Sequence, residues 1–184
     1  MSSTGTTLSA SEGDKGFRNG AAPAKSKSHS TIALLRLLAF AATLSAFVTM
    51  ITNKQKITIG PFTRWSKWHY SDAFMWFVVA NCIAFIYLLF AAILGLISHS
   101  PMLVKHLVIL DLIVSYMLFS AASAATAVAY IGKNGISQPG WTAICGVFER
   151  YCHHVAGALV ACFLGWLFLT IAVFLGMRRS PAAV

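Results

Sequence analysis

Acidic residues are scarce in this chain. Only five of its 184 residues are Asp or Glu, against 14 Lys and Arg, and all charged residues together make up 10%. A soluble domain usually has about 25% charged residues. With a hydrophobic share of 58%, the chain needs surroundings other than water, and this excludes an ordinary soluble globular domain.

Motifs for catalysis and cofactor binding are also missing. The sequence has no HExxH, no Gly-rich phosphate loop, no GxSxG and no paired carboxylates. The segment YCHH at residues 151–154 lacks a second cluster at the spacing that a metal site needs. We therefore expect no enzyme, no cofactor and no metal.

The net charge of +9 raises the question whether the protein binds nucleic acid. However, the Lys and Arg residues stand between or beside long apolar runs, which is typical of loops that flank a membrane. The expected partner of these residues is therefore membrane lipid, with no nucleic acid.

Four apolar runs are long enough to cross a bilayer, which takes about 20 residues. The sequence therefore predicts an all-α membrane protein, a four-transmembrane-helix bundle over residues 31–178. We expect residues 1–30, which are polar, to be a disordered cytosolic tail, and residues 179–184 to be a cytosolic C-terminal tail. The spans are approximately 32–51, 74–97, 106–131 and 155–177.

The connections between these spans have different compositions. The loop after span 1 is rich in Trp, Tyr and Lys, which predicts an interfacial belt. The link SHSPMLVK before span 3 predicts a tight turn, in which Pro101 ends the preceding helix.

The charges of the loops leave the orientation of the chain close to a tie, and cysteine decides it. Cys145 and Cys152 both lie in the loop after span 3. They can close a disulfide if this loop faces an oxidising compartment, which would put both termini in the cytosol. The alternative is two free interfacial thiols.

Two charged residues lie inside the apolar runs, Arg36 in span 1 and Asp111 in span 3. A charge at the centre of a span costs about 2.5–3.5 kcal/mol on insertion scales, and it usually faces a partner. Both residues lie roughly 6–9 Å inside the cytosolic interface at 1.5 Å per residue, so we predict an intramembrane ion pair. Two alternatives remain. Arg36 extends to the headgroups while Asp111 is protonated or bonded to a hydroxyl, or Asp111 is the titrating group of a small transporter or channel.

Small residues indicate close helix packing. Gly157, Ala161 and Gly165 lie four apart on one face of span 4, and span 3 contains the run SAASAATAVA at residues 120–129. Such patterns allow helix backbones to approach closely. Packing within the bundle and packing between chains are both open at this point.

Several of these features occur together in a known family. Four short-looped spans, Arg36, Asp111 and the motif W-x3-C-x2-F-x3-C, which ends at Cys152, resemble the Casparian strip membrane domain protein family of plants, and in particular its CASP-like members. The resemblance covers about residues 31–178. The family is distantly similar to the MARVEL tetraspan proteins.

The resemblance implies a plasma-membrane protein that forms a homodimer or higher homo-oligomer and hetero-oligomers with related family members. It also implies a non-enzymatic scaffold that self-associates and organises a membrane domain, with guidance of local cell-wall modification as a further implied role. The first extracellular loop reads ITIGPFTRWSKWHYSD and departs from the signature of the strip-forming members. We therefore expect a CASP-like scaffold and not a strip former.

Overall fold

The computed structural model describes residues 24–59, 62–97, 101–135 and 143–179. Within these ranges the chain forms four long helices, a two-stranded hairpin between the first two helices, and a short 3-10 turn at Trp68–Tyr70. The helices are α1 Ala24–Thr52, α2 Asp72–Ile97, α3 Pro101–Asn134 and α4 Glu149–Arg179. The strands are β1 Lys54–Ile59 and β2 Phe62–Lys67.

Each of the four helices contains a stretch long and apolar enough to cross a membrane. This confirms the prediction of an all-α, four-helix membrane protein, to which the structure adds the hairpin. Helix α1 begins at Ala24 and so includes residues 24–30, which the sequence assigned to the tail. Residues 1–23 and 180–184 lie outside the described residues, so most of both predicted tails does too.

The ends of the helices follow local chemistry. Helix α3 begins at Pro101, whose missing N–H and fixed φ suit the first helical position. The sequence predicted a tight turn in which this proline ends the preceding helix; α2 ends at Ile97, Pro101 is the first residue of α3, and residues 98–100 of the turn lie outside the described residues. Helix α3 ends before Gly135, which has a φ of 70° and donates its N–H to Ile131 O at 2.7 Å. This left-handed glycine is a common way to end a helix.

The loop after α1 is more ordered than the sequence suggested. Strands β1 and β2 pair antiparallel, with Lys54 opposite Lys67 and Ile59 opposite Phe62. The side chain of Asn53 donates to Tyr151 O at 3.0 Å, and Gln55 Oε1 accepts the N–H of Tyr151 at 2.8 Å. The start of the hairpin is therefore joined to the first turn of α4 by hydrogen bonds.

The helices form a ring in which α1 contacts α2 and α4, and α3 contacts the same two helices. Helices α1 and α3 therefore lie diagonally across the bundle. Small residues allow close approach at the centre, where larger apolar side chains fill the remaining space; fully buried examples are Ala39, Ala46, Phe77, Leu118, Ala122 and Leu169. Many large apolar side chains point outward, which suits a bilayer as the surrounding solvent.

Candidate functional site

The structure brings Arg36 and Asp111 together across the diagonal of the bundle. Arg36 Nε donates to Asp111 Oδ2 at 3.0 Å, and Nη2 donates to the same oxygen at 2.5 Å. The exposed fractions are 7% for Arg36 and 1% for Asp111. The two charges therefore neutralise each other away from solvent and connect α1 to α3.

A third residue completes this group. The hydroxyl of Tyr87, on α2, donates to Asp111 Oδ1 at 2.7 Å, and its oxygen also lies 3.2 Å from Leu107 O. Tyr87 was not predicted from the sequence, although a hydroxyl bonded to Asp111 was one of the alternatives there. The signal was a phenol inside the apolar run IAFIYLLF, at a depth similar to that of Asp111.

This arrangement, which we name the buried triad (Arg36, Tyr87 and Asp111), occupies both oxygens of the carboxylate. In a low-dielectric interior, hydrogen bonds strengthen, and an unpaired charge becomes costly. Removal of one partner of a buried ion pair typically costs about 3–5 kcal/mol. The triad therefore holds helices α1, α2 and α3 in one register.

Polar groups farther along the core are bonded locally. Ser115 lies 3.0 Å from Thr170, and Thr43 donates back to Ala39 O at 3.0 Å. Asn81 Nδ2 donates to Phe77 O at 2.8 Å, while its Oδ1 has no hydrogen-bond partner within the described part of the chain. In the same part of the chain, no three His, Cys, Asp or Glu side chains come together in a group that could hold a metal ion.

At the opposite end of the bundle, Cys145 and Cys152 are joined in a disulfide, with their Cα atoms 5.7 Å apart. The N–H groups of Ile144 and Cys145 donate to Gly132 O at 2.9 and 3.1 Å. The described segment 143–148 is therefore held to the end of α3 by hydrogen bonds and to the first turn of α4 by the disulfide.

The three small residues predicted to form one face of α4 have different environments in the structure. Gly165 is buried against α1, and a Cβ at this position would lie 3.0 Å from Thr43 Cγ2 and 3.5 Å from Ala39 O. Ala161 is half-buried and packs against the core. Gly157 is exposed, with no atom within 4 Å of an added Cβ. Gly165 thus serves packing inside the bundle, whereas Gly157 faces outward.

Helix α3 has a coherent outward face of small and polar residues. We define the exposed α3 face as Tyr116, Ser120, Ser123, Ala124 and Ala127, all of which are exposed. Among the residues described by the structure, the hydroxyls of Tyr116, Ser120 and Ser123 have no hydrogen-bond partner. At 100° per residue these five positions fall within about 100° of one another. The other side of the same run, Ala121, Ala122 and Ala125, is buried.

Comparison with known proteins decides the family. The model of the Casparian strip membrane protein domain matches residues 25–168, which is most of the chain. The chain belongs to this family. It is similar to CASP-like protein 1C2 of Vitis vinifera, with 41% identity over 135 residues, covering 72% of this chain and 80% of the relative.

Other relatives agree. CASP-like protein 1C3 of Populus trichocarpa is 43% identical over 131 residues, which cover 71% of this chain and 75% of that protein. CASP-like protein 1C1 of Arabidopsis thaliana is 34% identical over 151 residues, which cover 82% of this chain and 88% of that protein. No solved structure matches the chain. The resemblance drawn from the sequence is thus confirmed, and the chain is a multi-pass membrane protein of the CASP-like type.

Proposed function

We propose that this CASP-like protein is a non-enzymatic scaffold of the plasma membrane, which self-associates and organises a membrane domain. The observation that carries the proposal is the exposed α3 face. Its three hydroxyls lie in the middle part of a helix that crosses the bilayer, where lipid tails offer no hydrogen-bond partner. A second copy of the chain, or a related family member, supplies such partners.

Small residues strengthen this assignment. Ser120, Ser123, Ala124 and Ala127 let a neighbouring helix approach closely, and an interhelical hydrogen bond in a membrane contributes about 0.6–2 kcal/mol. The homodimer or higher homo-oligomer, and the hetero-oligomers with related members, are built through this face. The buried triad supports the same function indirectly, because it gives each subunit a fixed shape.

Self-association is tested by energy transfer between two differently labelled copies in lipid vesicles. We expect Ala124→Phe to weaken association about tenfold or more, because a bulky ring separates the two faces. Ala41→Phe is the matched control, since Ala41 is also exposed near the middle of a membrane helix but lies on α1. If Ala124→Phe associates as strongly as Ala41→Phe, the exposed α3 face is not the contact between subunits.

Organisation of a membrane domain predicts slow lateral movement in plant cells. A fluorescent fusion should recover slowly after photobleaching and should be confined to part of the plasma membrane. Its coincidence with a modified region of the wall would support the implied role in local cell-wall modification. Fast recovery with a uniform distribution would contradict the scaffold function.

The proposed orientation places both termini in the cytosol and the hairpin outside. It is supported by the disulfide, which forms in oxidising compartments. Thr63 of the hairpin and His106 near the start of α3 are both exposed. An impermeant thiol reagent should label Thr63→Cys in intact cells and His106→Cys only after permeabilisation; the reverse pattern would invert the topology.

The alternative of a small transporter or channel with Asp111 as its titrating group has less support. Arg36 and Tyr87 already engage both carboxylate oxygens. Beyond the triad, Leu118 and Leu169 pack the core with exposed fractions of 0%. A proton flux into liposomes that disappears in Asp111→Asn, while the protein remains folded, would favour the alternative.

A further inference from the structure

A cleft of about 690 Å³ opens between the last turns of α3 and the first turns of α4. Its walls include Ala129 and Gly132 on α3, Ala156 and Leu159 on α4, and the disulfide at one end. Ligand sites usually have volumes of about 300–1,000 Å³, so the cleft is large enough for a substantial part of a lipid molecule.

The cleft changes from apolar to charged along its length. Phe74, Val155 and Leu159 are buried and form part of its lining in the interior of the bundle. Lys133 and Glu149 lie at its mouth, both exposed, one on each helix. Lys133 forms no ion pair with another residue that the structure describes, whereas Glu149 Oε1 lies 3.8 Å from His153 Nε2.

The position of the cleft matches one leaflet of a bilayer. Lys133 lies two residues beyond the predicted span 106–131 and Glu149 lies six residues before the predicted span 155–177, so both are outside the hydrocarbon layer, on the side of the headgroups. Leu159 lies four residues inside the predicted span 155–177, which corresponds to a depth of about 6 Å at 1.5 Å per residue. The cleft therefore reaches from the headgroups into the outer part of one leaflet of a hydrocarbon layer about 30 Å thick.

We propose that the cleft binds one zwitterionic phospholipid of the leaflet on the disulfide side. One acyl chain lies against Phe74, Val155 and Leu159, the phosphate faces Lys133, and the ammonium group faces Glu149. A cation and an anion on opposite walls fit a headgroup that carries both signs. An anionic lipid would place its net charge beside Glu149, and a sterol would leave both charges unused. The inference does not depend on the proposed scaffold function.

The binding is tested by native mass spectrometry of the full chain. The protein is reconstituted in equal amounts of phosphatidylcholine, phosphatidylglycerol and sterol, and the lipids that survive release from the membrane are counted. We expect one retained phosphatidylcholine per chain. Ala156→Phe fills the cleft from an exposed position and should reduce retention about tenfold, whereas Ala41→Phe, outside the cleft, should not.

Charge reversal tests the headgroup contacts. Lys133→Glu should reduce retention of phosphatidylcholine about tenfold, consistent with one lost charge-assisted contact. Combination with Glu149→Lys should restore it, because the cation and the anion are exchanged between the two walls. Lys105→Glu, at the other end of α3, is the matched control and should retain phosphatidylcholine like the wild type.

The location is tested by a phosphatidylcholine with a photoreactive acyl chain. Photoproducts should map to residues 126–133 and 151–159, and they should disappear in Ala156→Phe. Retention of phosphatidylglycerol or sterol in place of phosphatidylcholine would overturn the zwitterionic assignment. Photoproducts that are absent from the cleft would overturn the site itself.

Discussion

At the end of the bundle that carries the buried triad, the charged pair Arg36 and Asp111 is buried and bonded, whereas at the disulfide end Lys133 and Glu149 are exposed. Asp111 has an exposed fraction of 1%, and the side chain of Glu149 has one of 83%. The two side chains thus carry the same chemical group in different environments, one buried and the other exposed. We call these regions the triad end and the disulfide end.

The two ends differ also in how their helices are held. At the triad end, direct side-chain bonds cross the bundle and Gly176 lets α4 approach Val108 of α3. At the disulfide end, a covalent bond and backbone hydrogen bonds to Gly132 hold the chain, and a cleft separates the helices. Noncovalent pairing in a low dielectric requires close packing, whereas a covalent link tolerates a gap.

The largest expected effect follows from breaking the ion pair on one side. Asp111→Leu leaves the Arg36 guanidinium buried without its carboxylate, and we expect the free energy of unfolding in mild detergent to fall by about 3–5 kcal/mol. Denaturant titration followed by circular dichroism measures this loss. Glu149→Leu is the matched control at the disulfide end, and its effect should be much smaller because Glu149 is exposed.

A double substitution distinguishes the contribution of the ion pair to stability from the contribution of each residue alone. Replacement of a complete buried ion pair by apolar residues is often neutral or stabilising. Arg36→Met combined with Asp111→Leu should therefore recover most of the stability lost by Asp111→Leu. If the loss in the free energy of unfolding of the double variant equals the sum of the losses of the two single variants, the two residues are not energetically coupled.

The second effect concerns the disulfide end. Cys145→Ser combined with Cys152→Ser should lower the free energy of unfolding by about 2 kcal/mol, as estimated for a short closed loop. Hydrogen exchange should become faster at residues 143–148, while the segment around Asp111 stays unchanged. A wild-type protein that shows two free thiols by mass spectrometry would contradict this assignment.

The fold could be predicted from the sequence to a large extent, because span length and hydropathy are local properties. Arg36 and Asp111 could be paired by depth, since they are the two charges inside apolar runs. Tyr87 could not, because its contact with Asp111 depends on how α2 is rotated against α3. A tyrosine in an apolar run is equally compatible with packing or with an interfacial position.

The hairpin and the cleft illustrate two further reasons for incomplete prediction. KQKITI contains the β-branched residues Ile57, Thr58 and Ile59 before a Gly-Pro pair, so a strand signal was present in the sequence, but the aromatic and basic residues that follow favoured an interfacial loop. The cleft has no local signal. It depends on the relative position of the ends of α3 and α4, which tertiary contacts determine.

A smaller effect tests the close packing of the triad end. A Cβ at Gly176 would lie 2.8 Å from Val108 Cγ2, whereas a Cβ at Gly95 would lie 3.7 Å from Arg36 Nη1. We expect Gly176→Ala to destabilise the protein by about 1–2 kcal/mol through overpacking, and Gly95→Ala, whose Cβ meets only an ordinary contact, not to destabilise it. Thermal unfolding of the two variants in parallel measures the difference.

Val108 provides the control for this steric argument. In the double variant with Gly176→Ala and Val108→Ala, the conflicting methyl groups are removed, so the incremental loss from Gly176→Ala should disappear. Persistence of the full loss in the double variant would show that the effect does not arise from the Val108 contact.

The smallest effect is a gain in stability at the disulfide end. Gly157 is exposed and a Cβ there meets no atom within 4 Å. Because alanine loses less conformational freedom in a helix than glycine, Gly157→Ala should raise the free energy of unfolding by about 0.5–1 kcal/mol. Self-association measured by energy transfer should not change, since the proposed contact is on α3. A loss of association would instead place Gly157 in the contact between subunits, and the outward part of the α4 small face would then share the role assigned to α3.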